Sequence, residues 1–321
     1  MIPVTDQQPA TSSASLESEA WPEQLDIMVT GRCNAHCPFC VQEITYKYPQ
    51  ATDEEFLRAA DASLRQFHLR GGRKVVITGG EPLLSLDRVV ALLKLLRHYS
   101  GFEMTAVYTN GALLLQPGPH DSTATTADVL KQAGLGCVNI SIHHHEDPIN
   151  NRILGLPRKR WSSEILAYLR TIGLPFRLNT TLQQGGIWGV EELIAFLNWA
   201  AAFEPQDLYF RELFAFTQNA VNAPSGVPHA EYCQQKRVDA RALVARMREL
   251  KEFVYLGEAK EDFRDKTEWR FLHSRSKSKL YIASLRVGDE KRSGIPYLVL
   301  APDGRLYRGW LGPIDILPMV G

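Results

Sequence analysis

The sequence predicts an α/β protein, a partial (β/α)6 barrel followed by a small C-terminal α+β extension. Three observations lead there. Six short runs rich in β-branched and aromatic residues recur between Leu25 and Phe216. Stretches with helical apolar spacing separate them. Strict alternation of strand and helix then demands parallel strands, because a helix must carry the chain back before the next strand begins. In such folds chemistry gathers at the C-terminal ends of the strands.

The elements follow in order. Residues 1–20, rich in Ser, Thr, Gln, Ala and Glu without apolar periodicity, are expected to form a flexible tail. The first strand is LDIMVT (25–30). The helix after it opens on a capping box, Thr52 with Glu55, and carries Phe56, Leu57, Ala60, Leu64 and Phe67 on one face. KVVIT (74–78) is the second strand, and a helix beginning after Ser85 presents Val89, Leu92, Leu93 and Leu96. The remaining barrel strands are EMTAVYT (103–109), CVNISI (137–142), PFRLNTTL (175–182) and DLYFRELFAF (207–216), with helices near 126–132, 162–171 and 190–201. This assigns the barrel to 21–217 and the extension to 218–321. The extension starts with the loop QNAVNAPSGVPHAEY (218–232) and a basic helix around 234–251. Strands near 279–285 and 297–301 follow, and Pro302-Asp303-Gly304 turns the last of them into LYRGW (306–310) as a hairpin.

Composition narrows the function. The 321 residues carry 36 Lys+Arg against 36 Asp+Glu. That balance lacks the basic footprint of a protein that binds polyanions by counterion release, so no nucleic-acid partner is expected. No run reaches the ~18 apolar residues of a membrane span. The opening MIPVTDQQPATSSASLESEA has neither a basic n-region nor an apolar h-region. A cytoplasmic protein without a membrane partner is expected. Five cysteines are too few and too uneven for a disulfide scaffold: Cys33, Cys37 and Cys40 cluster, while Cys137 and Cys233 stand apart.

The cluster Cys33-Asn-Ala-His-Cys37-Pro-Phe-Cys40 follows the first strand. A thioredoxin-like dithiol would use Cys37 and Cys40 and leave Cys33 unexplained. A structural zinc site would need His36 or a distant cysteine as its fourth ligand. Three thiolates holding a [4Fe–4S] cluster would leave one iron open to an exogenous ligand, which makes a site for chemistry. At the end of the second strand stands Gly79-Gly80-Glu81-Pro82. Adjacent glycines let backbone come close to a ligand, and a carboxylate there can accept from an ammonium group, although a plain strand-ending turn also accounts for the motif alone.

Together, Cys33-x3-Cys37-x2-Cys40 and Gly79-Gly80-Glu81-Pro82 resemble the radical S-adenosylmethionine (SAM) superfamily over about residues 22–216, most closely its branch of GTP cyclases and peptide-modifying enzymes. Tyr108-Thr109-Asn110-Gly111, Asn139-Ile140-Ser141-Ile142-His143 and Arg177-Leu178-Asn179-Thr180 extend the match. The resemblance implies a partial radical SAM barrel in which Cys33, Cys37 and Cys40 ligate one [4Fe–4S] cluster, with SAM on the fourth iron. It implies Phe39 beside the adenine, and Glu81 with the Gly79 and Gly80 backbone at the methionine ammonium. Thr109, Ser141 and Asn179 would face SAM near its ribose, Arg152 would pair with its carboxylate, and Ile187 would flank the adenine. His143, two residues after Ser141 and on its face, is a candidate for touching SAM or substrate. The implied reaction is reductive cleavage of SAM to a 5′-deoxyadenosyl radical that takes hydrogen from a substrate in the barrel mouth, with flavodoxin or ferredoxin as reductant.

Departures from the branch matter too. Many relatives carry further cysteine clusters toward the C-terminus, and Cys137 and Cys233 cannot hold one, so a single cluster and a cluster-less extension are expected. Ala301-Pro302-Asp303-Gly304-Arg305-Leu306-Tyr307-Arg308 resembles the strand-turn-strand that opens such domains, without its cysteine. The favoured substrate is a natural product, a ribosomally made precursor peptide undergoing C–C cleavage with backbone excision, cross-linking or epimerisation. Leader recognition would fall to a separate small protein, since only about 20 residues precede the barrel. A nucleotide or sugar substrate is the alternative, and a non-catalytic metal-binding interaction protein is a remote one.

Other residues carry weaker signals. Cys137 is expected to be a buried thiol, and Cys233 a helix residue with hydrogen-atom donation as a secondary reading. His143-His144-His145-Glu146 invites a metal reading, against which successive residues at a strand end point apart. Arg211 and Glu212, in an otherwise apolar strand, are expected to contact substrate in the mouth or to pair with each other. Lys236, Arg237, Arg241, Arg246 and Arg248 are expected on a solvated helix face.

Overall fold

The structure, a computed structural model, describes residues 21–40, 49–119, 121–156, 161–216, 230–261, 266–287 and 298–309. The expected tail, most of the 218–232 stretch, residue 297 and Trp310 lie outside them. β1 (Gln24–Met28), β2 (Lys74–Thr78), β3 (Met104–Thr109), β4 (Cys137–Ser141), β5 (Phe176–Leu182) and β6 (Asp207–Glu212) lie side by side in chain order, each parallel to the next. Helices α1 (Asp53–Leu69), α2 (Leu86–Leu96), α3 (Thr126–Gln132), α4 (Asp147–Leu154), α5 (Ser162–Ile172) and α6 (Val190–Ala200) occupy the crossovers, as the (β/α)6 reading requires. Among the described residues no helix is long and apolar enough to cross a membrane.

The sheet stays open, and later strands extend both of its edges. After β7 (Ala215–Phe216), α7 (Ala230–Lys236) and α8 (Ala240–Arg248) come β8 (Phe253–Glu261), β9 (Lys266–His273) and β10 (Lys279–Val287). β10 pairs parallel with β6, and β9 and β8 follow it antiparallel. On the opposite edge β11 (Leu298–Leu300) pairs parallel with β1 and forms the expected hairpin with β12 (Leu306–Tyr307). Gly304 takes the left-handed φ of 78° that this turn needs.

Side-chain alternation separates the two faces of the sheet. Val75, Ile77, Val107, Val138, Ile140, Leu178, Leu208 and Phe210 are fully buried and pack in one core with Phe56, Leu64, Phe67, Leu92, Leu166, Leu193 and Phe196 of the helices. Each such side chain contributes roughly 1.5–3 kcal/mol when withdrawn from water. On the inner face Val76 and Ala106 are buried at the bottom, and polar groups follow toward the C-terminal ends of the strands. Register sets Thr78, Tyr108, Asn139, Arg177 and Asp207 in one row, and Ser141, Asn179, Tyr209 and Tyr281 in the row above it.

Several elements differ from expectation. The strand 207–216 breaks after Glu212, and its last two residues pair with β10. The helix 234–251 is two helices, because the Asp239 carboxylate accepts the N–H groups of Arg241 (2.8 Å) and Ala242 (3.3 Å) and starts α8 afresh. α4, β8 and β9 were not anticipated.

Arg88 clasps the two ends of the segment that links β1 to α1. Its buried guanidinium donates to the carbonyls of Val29 (3.0 Å) and Ala51 (2.9 Å) and to the Asp53 carboxylate (2.7 Å). Arg88→Met keeps the length and removes every donor. Leaving such carbonyls unsatisfied costs about 1–3 kcal/mol each, so a loss of roughly 2–4 kcal/mol is expected in urea unfolding. A loss below about 0.5 kcal/mol would show that the clasp is idle.

Candidate active site

Beyond β1 the chain leaves the sheet in the loop that carries Cys33, Cys37 and Cys40, all partly buried. The end of β2 holds its first part. Gly80 N–H donates to Thr30 O (2.8 Å) and Glu81 N–H to Arg32 O (2.8 Å). A Cβ on Gly79, whose φ is 137°, would lie 2.3 Å from Thr30 O, and one on Gly80 would lie 2.2 Å from Arg32 O. The paired glycines are therefore demanded first by the backbone of the cysteine loop itself. The last turn of α4 holds the middle: Leu154 O accepts from His36 N–H (3.1 Å) and from the Cys37 thiol (3.4 Å). Burial pushes the Cys33 thiol up to about 11, partly offset by the Ala35 N–H and reinforced by the charges of Glu81 and Cys40. Binding a metal there must displace that proton.

Glu81 is fully buried. One carboxylate oxygen accepts from Leu83 N–H (3.1 Å) and the Thr109 hydroxyl (2.7 Å), and the other accepts from Asn110 N–H (2.8 Å). Thr109 Oγ1 in turn accepts from Gly111 N–H (2.9 Å). The Asn110 amide reaches back to Asn34 Oδ1 in the cysteine loop (2.6 Å). The ends of β2 and β3 and the loop are thus one connected polar unit, in which Asn34 and Asn110 have a part that spacing did not signal.

Ser141 and Asn179 are register partners on the inner face of β4 and β5. Asn179 is buried, and neither its Oδ1 nor its Nδ2 has a hydrogen-bond partner within the protein. A buried amide without partners is costly unless a ligand supplies them. His143 follows on the same face, 5.1 Å from Phe39 in an edge-to-face contact. Its Nδ1 accepts from Thr181 N–H (3.0 Å), and the Thr181 hydroxyl stands 3.1 Å away. Thr181 is two residues beyond Asn179 and so on its face, a periodicity that could have marked it.

Other expected site residues fall elsewhere. Arg152 is exposed on α4, one turn from the contact with Cys37. Ile187 is fully buried in the main apolar core, with no surface left to flank an adenine. Arg211 and Glu212 do not pair with each other, because consecutive strand residues face opposite sides. Arg211 lies on the inner face and donates to the Tyr108 hydroxyl (3.2 Å). Glu212 is buried on the other side against Arg237 (2.8 Å), so it is no substrate contact, and Arg237 is not part of a solvated face. Cys137 and Cys233 are both buried, and burial pushes each thiol up to about 11.

His144, His145 and Glu146 do converge, with ligand atoms within 4.8 Å of one another. Their arrangement is nevertheless a stack. The two rings lie 4.4 Å apart and 22° from parallel. An ion about 2.1 Å from both nitrogens would have to lie in both ring planes at once. His144 Nδ1 is already engaged by Glu146 N–H (3.0 Å). Among the described residues the three cysteines are not a group converging within that 4.8 Å.

A model of the Radical SAM superfamily matches residues 27–197 of the chain. GTP 3′,8-cyclase of Staphylococcus aureus is 31% identical over 173 residues, 50% of this chain and 46% of that protein. The chain thus spans about half the length of the curated relatives it matches. Among solved structures, Streptococcus suis SuiB bound to S-adenosylmethionine is 20% identical with a TM-score of 0.48, over 62% of this chain and 43% of that one. The same protein bound to precursor peptide SuiA is 17% identical with a TM-score of 0.49, over 70% of this chain and 50% of that one.

Proposed function

Because the chain belongs to the radical SAM superfamily, whose members use a [4Fe–4S] cluster and SAM, we propose that it is a SAM-cleaving radical enzyme acting on a natural product. The observation that carries this is the joint construction of the site: three thiols on one loop, locked to the Gly79-Gly80-Glu81 strand end, beside an inner face with an unpartnered buried amide at Asn179. These residues fit the cofactors. Cys33, Cys37 and Cys40 would hold the cluster, Glu81 would face the methionine ammonium, and Ser141 and Asn179 would meet the ribose. When bound, the cluster supplies one electron that cleaves SAM to a 5′-deoxyadenosyl radical. The chain's own groups bind and orient: Glu81 ties β2 to β3, Asn110 ties β3 to the cysteine loop through Asn34, and Leu154 fixes Cys37.

The division into a barrel over 21–217 and a cluster-less extension over 218–321 belongs to this proposal, as do a flavodoxin or ferredoxin reductant and a separate leader-recognition protein. A precursor peptide is the favoured substrate. Cations of the inner rows are engaged locally, Arg177 with Asp207 (3.0 Å) and Arg211 with Tyr108. Among the described residues these two cations are held apart by those partners and do not converge as a triphosphate would require. A nucleotide is the second reading, favoured by the 31% identity to the GTP 3′,8-cyclase.

Anaerobic reconstitution followed by dithionite and SAM is expected to yield 5′-deoxyadenosine. A reconstituted protein that forms none would refute the assignment. Adding a precursor peptide from a neighbouring gene or a nucleoside triphosphate then separates the readings by which one stimulates turnover.

A further inference from the structure

We propose that Tyr232, on α7 and beyond the stretch matched by the superfamily, is a positioning residue for the SAM site, acting through Gln183 and Thr181 on His143; this rests on the function proposed above. Four side chains stand in line. The Tyr232 hydroxyl donates to Gln183 Oε1 (2.8 Å), and Gln183 Nε2 donates to Thr181 Oγ1 (2.6 Å). Thr181 Oγ1 lies 3.1 Å from His143 Nδ1, and Thr181 N–H donates to the same nitrogen at 3.0 Å.

The chain has one direction. A backbone N–H can only donate, so His143 Nδ1 must accept, and the hydrogen of the neutral ring sits on Nε2. Thr181 Oγ1 accepts from Gln183, which leaves its own hydrogen for His143. Gln183 turns its oxygen to the Tyr232 hydroxyl, which donates to it, and its NH2 to Thr181. Gln183 is fully buried; a flipped amide would take the Thr181 hydroxyl hydrogen for its own oxygen and leave His143 with the Thr181 N–H alone, so the orientation of this amide decides whether the line reaches His143. In the orientation observed every link points from α7 toward His143, whose ring packs on Phe39 between Cys37 and Cys40. α7 is itself seated on the barrel. Gln184 N–H donates to Lys236 O (2.9 Å), and Arg237 closes on buried Glu212 (2.8 Å).

The test compares Tyr232→Phe, Thr181→Val and the double variant in the reconstituted holoenzyme. SAM affinity is measured by equilibrium dialysis, and the EPR change of the reduced cluster on SAM addition is recorded alongside. Removing one relay hydroxyl is expected to raise the SAM Kd about 5- to 10-fold. Iron content and the rate of 5′-deoxyadenosine formation at saturating SAM should stay at wild-type values. The double variant is expected to match Thr181→Val alone, because both changes break one line. A Tyr232→Phe Kd within about twofold of wild type, effects that multiply in the double variant, or a fall in rate without a change in Kd overturns the relay. Wild-type protein that binds no SAM overturns the proposed function, and the relay with it.

Discussion

Cys37→Ala is expected to yield a protein that folds normally, holds no [4Fe–4S] absorbance after anaerobic reconstitution and forms no 5′-deoxyadenosine. The loss should exceed about 1000-fold, or roughly 4 kcal/mol in barrier terms. Cys37 is the middle thiol of the loop, and its thiol makes a weak contact to Leu154 O at 3.4 Å. Truncating it should cost within about 1 kcal/mol of stability, so loss of the cluster can be told from loss of the fold. Cys137→Ala is the matched control. That thiol is buried on β4, on the inner face below the Ser141 row, and its removal should leave about four irons per chain. Cluster absorbance that survives Cys37→Ala would refute the three-thiol site, and cluster loss in Cys137→Ala would refute the single-cluster expectation.

How much of this could be read from the sequence depends on the range of the forces involved. Strands such as KVVIT at 74–78 and the capping box of Thr52 and Glu55 are local in origin, and they stand where expected. The cysteine loop and the Gly79-Gly80-Glu81 strand end are legible because metal ligation and close backbone packing restrict residue type at fixed spacing. α4 carries local signals of its own, Pro148 in its first turn and Gly155 at its left-handed cap. β9 does too, since Trp269, Phe271 and His273 alternate as buried residues with Glu268, Arg270 and Leu272.

Partners set by tertiary structure were not legible. Glu212 finds Arg237 and Tyr232 finds Gln183 only because α7 returns to the ends of β5 and β6. Neither pairing leaves a periodicity. A charged residue inside an apolar strand announces that a partner exists without saying which one, and Arg211 and Glu212 show that adjacent charges can serve opposite faces of one sheet.

Glu81→Gln carries the second large effect, and its reason is the count of donors. Among its partners the carboxylate accepts from Leu83 N–H, Thr109 Oγ1 and Asn110 N–H. An amide of the same shape offers one oxygen. If that oxygen keeps Leu83 and Thr109, the new NH2 meets the N–H of Asn110. If it turns to Asn110, the NH2 meets Leu83 N–H, and Thr109 can accept from the NH2 beside Gly111 N–H only by turning its own hydrogen away. Either way a buried donor loses its acceptor, at about 1–3 kcal/mol, and the remaining bonds lose their charge assistance. A total of roughly 2–4 kcal/mol is expected in urea unfolding. The consequence reaches the cofactors along two routes. Slack at Asn110 passes through its 2.6 Å bond to Asn34 into the cysteine loop, and an ammonium bound at this strand end loses its counter-charge. Removing one partner of a buried pair costs about 3–5 kcal/mol, which corresponds to a SAM Kd raised by at least about 100-fold. Dialysis and unfolding on the same preparation separate the routes. Glu81→Gln protein that is destabilised yet binds SAM as wild type does would make Glu81 a joint between β2 and β3, and would take it out of the cofactor site.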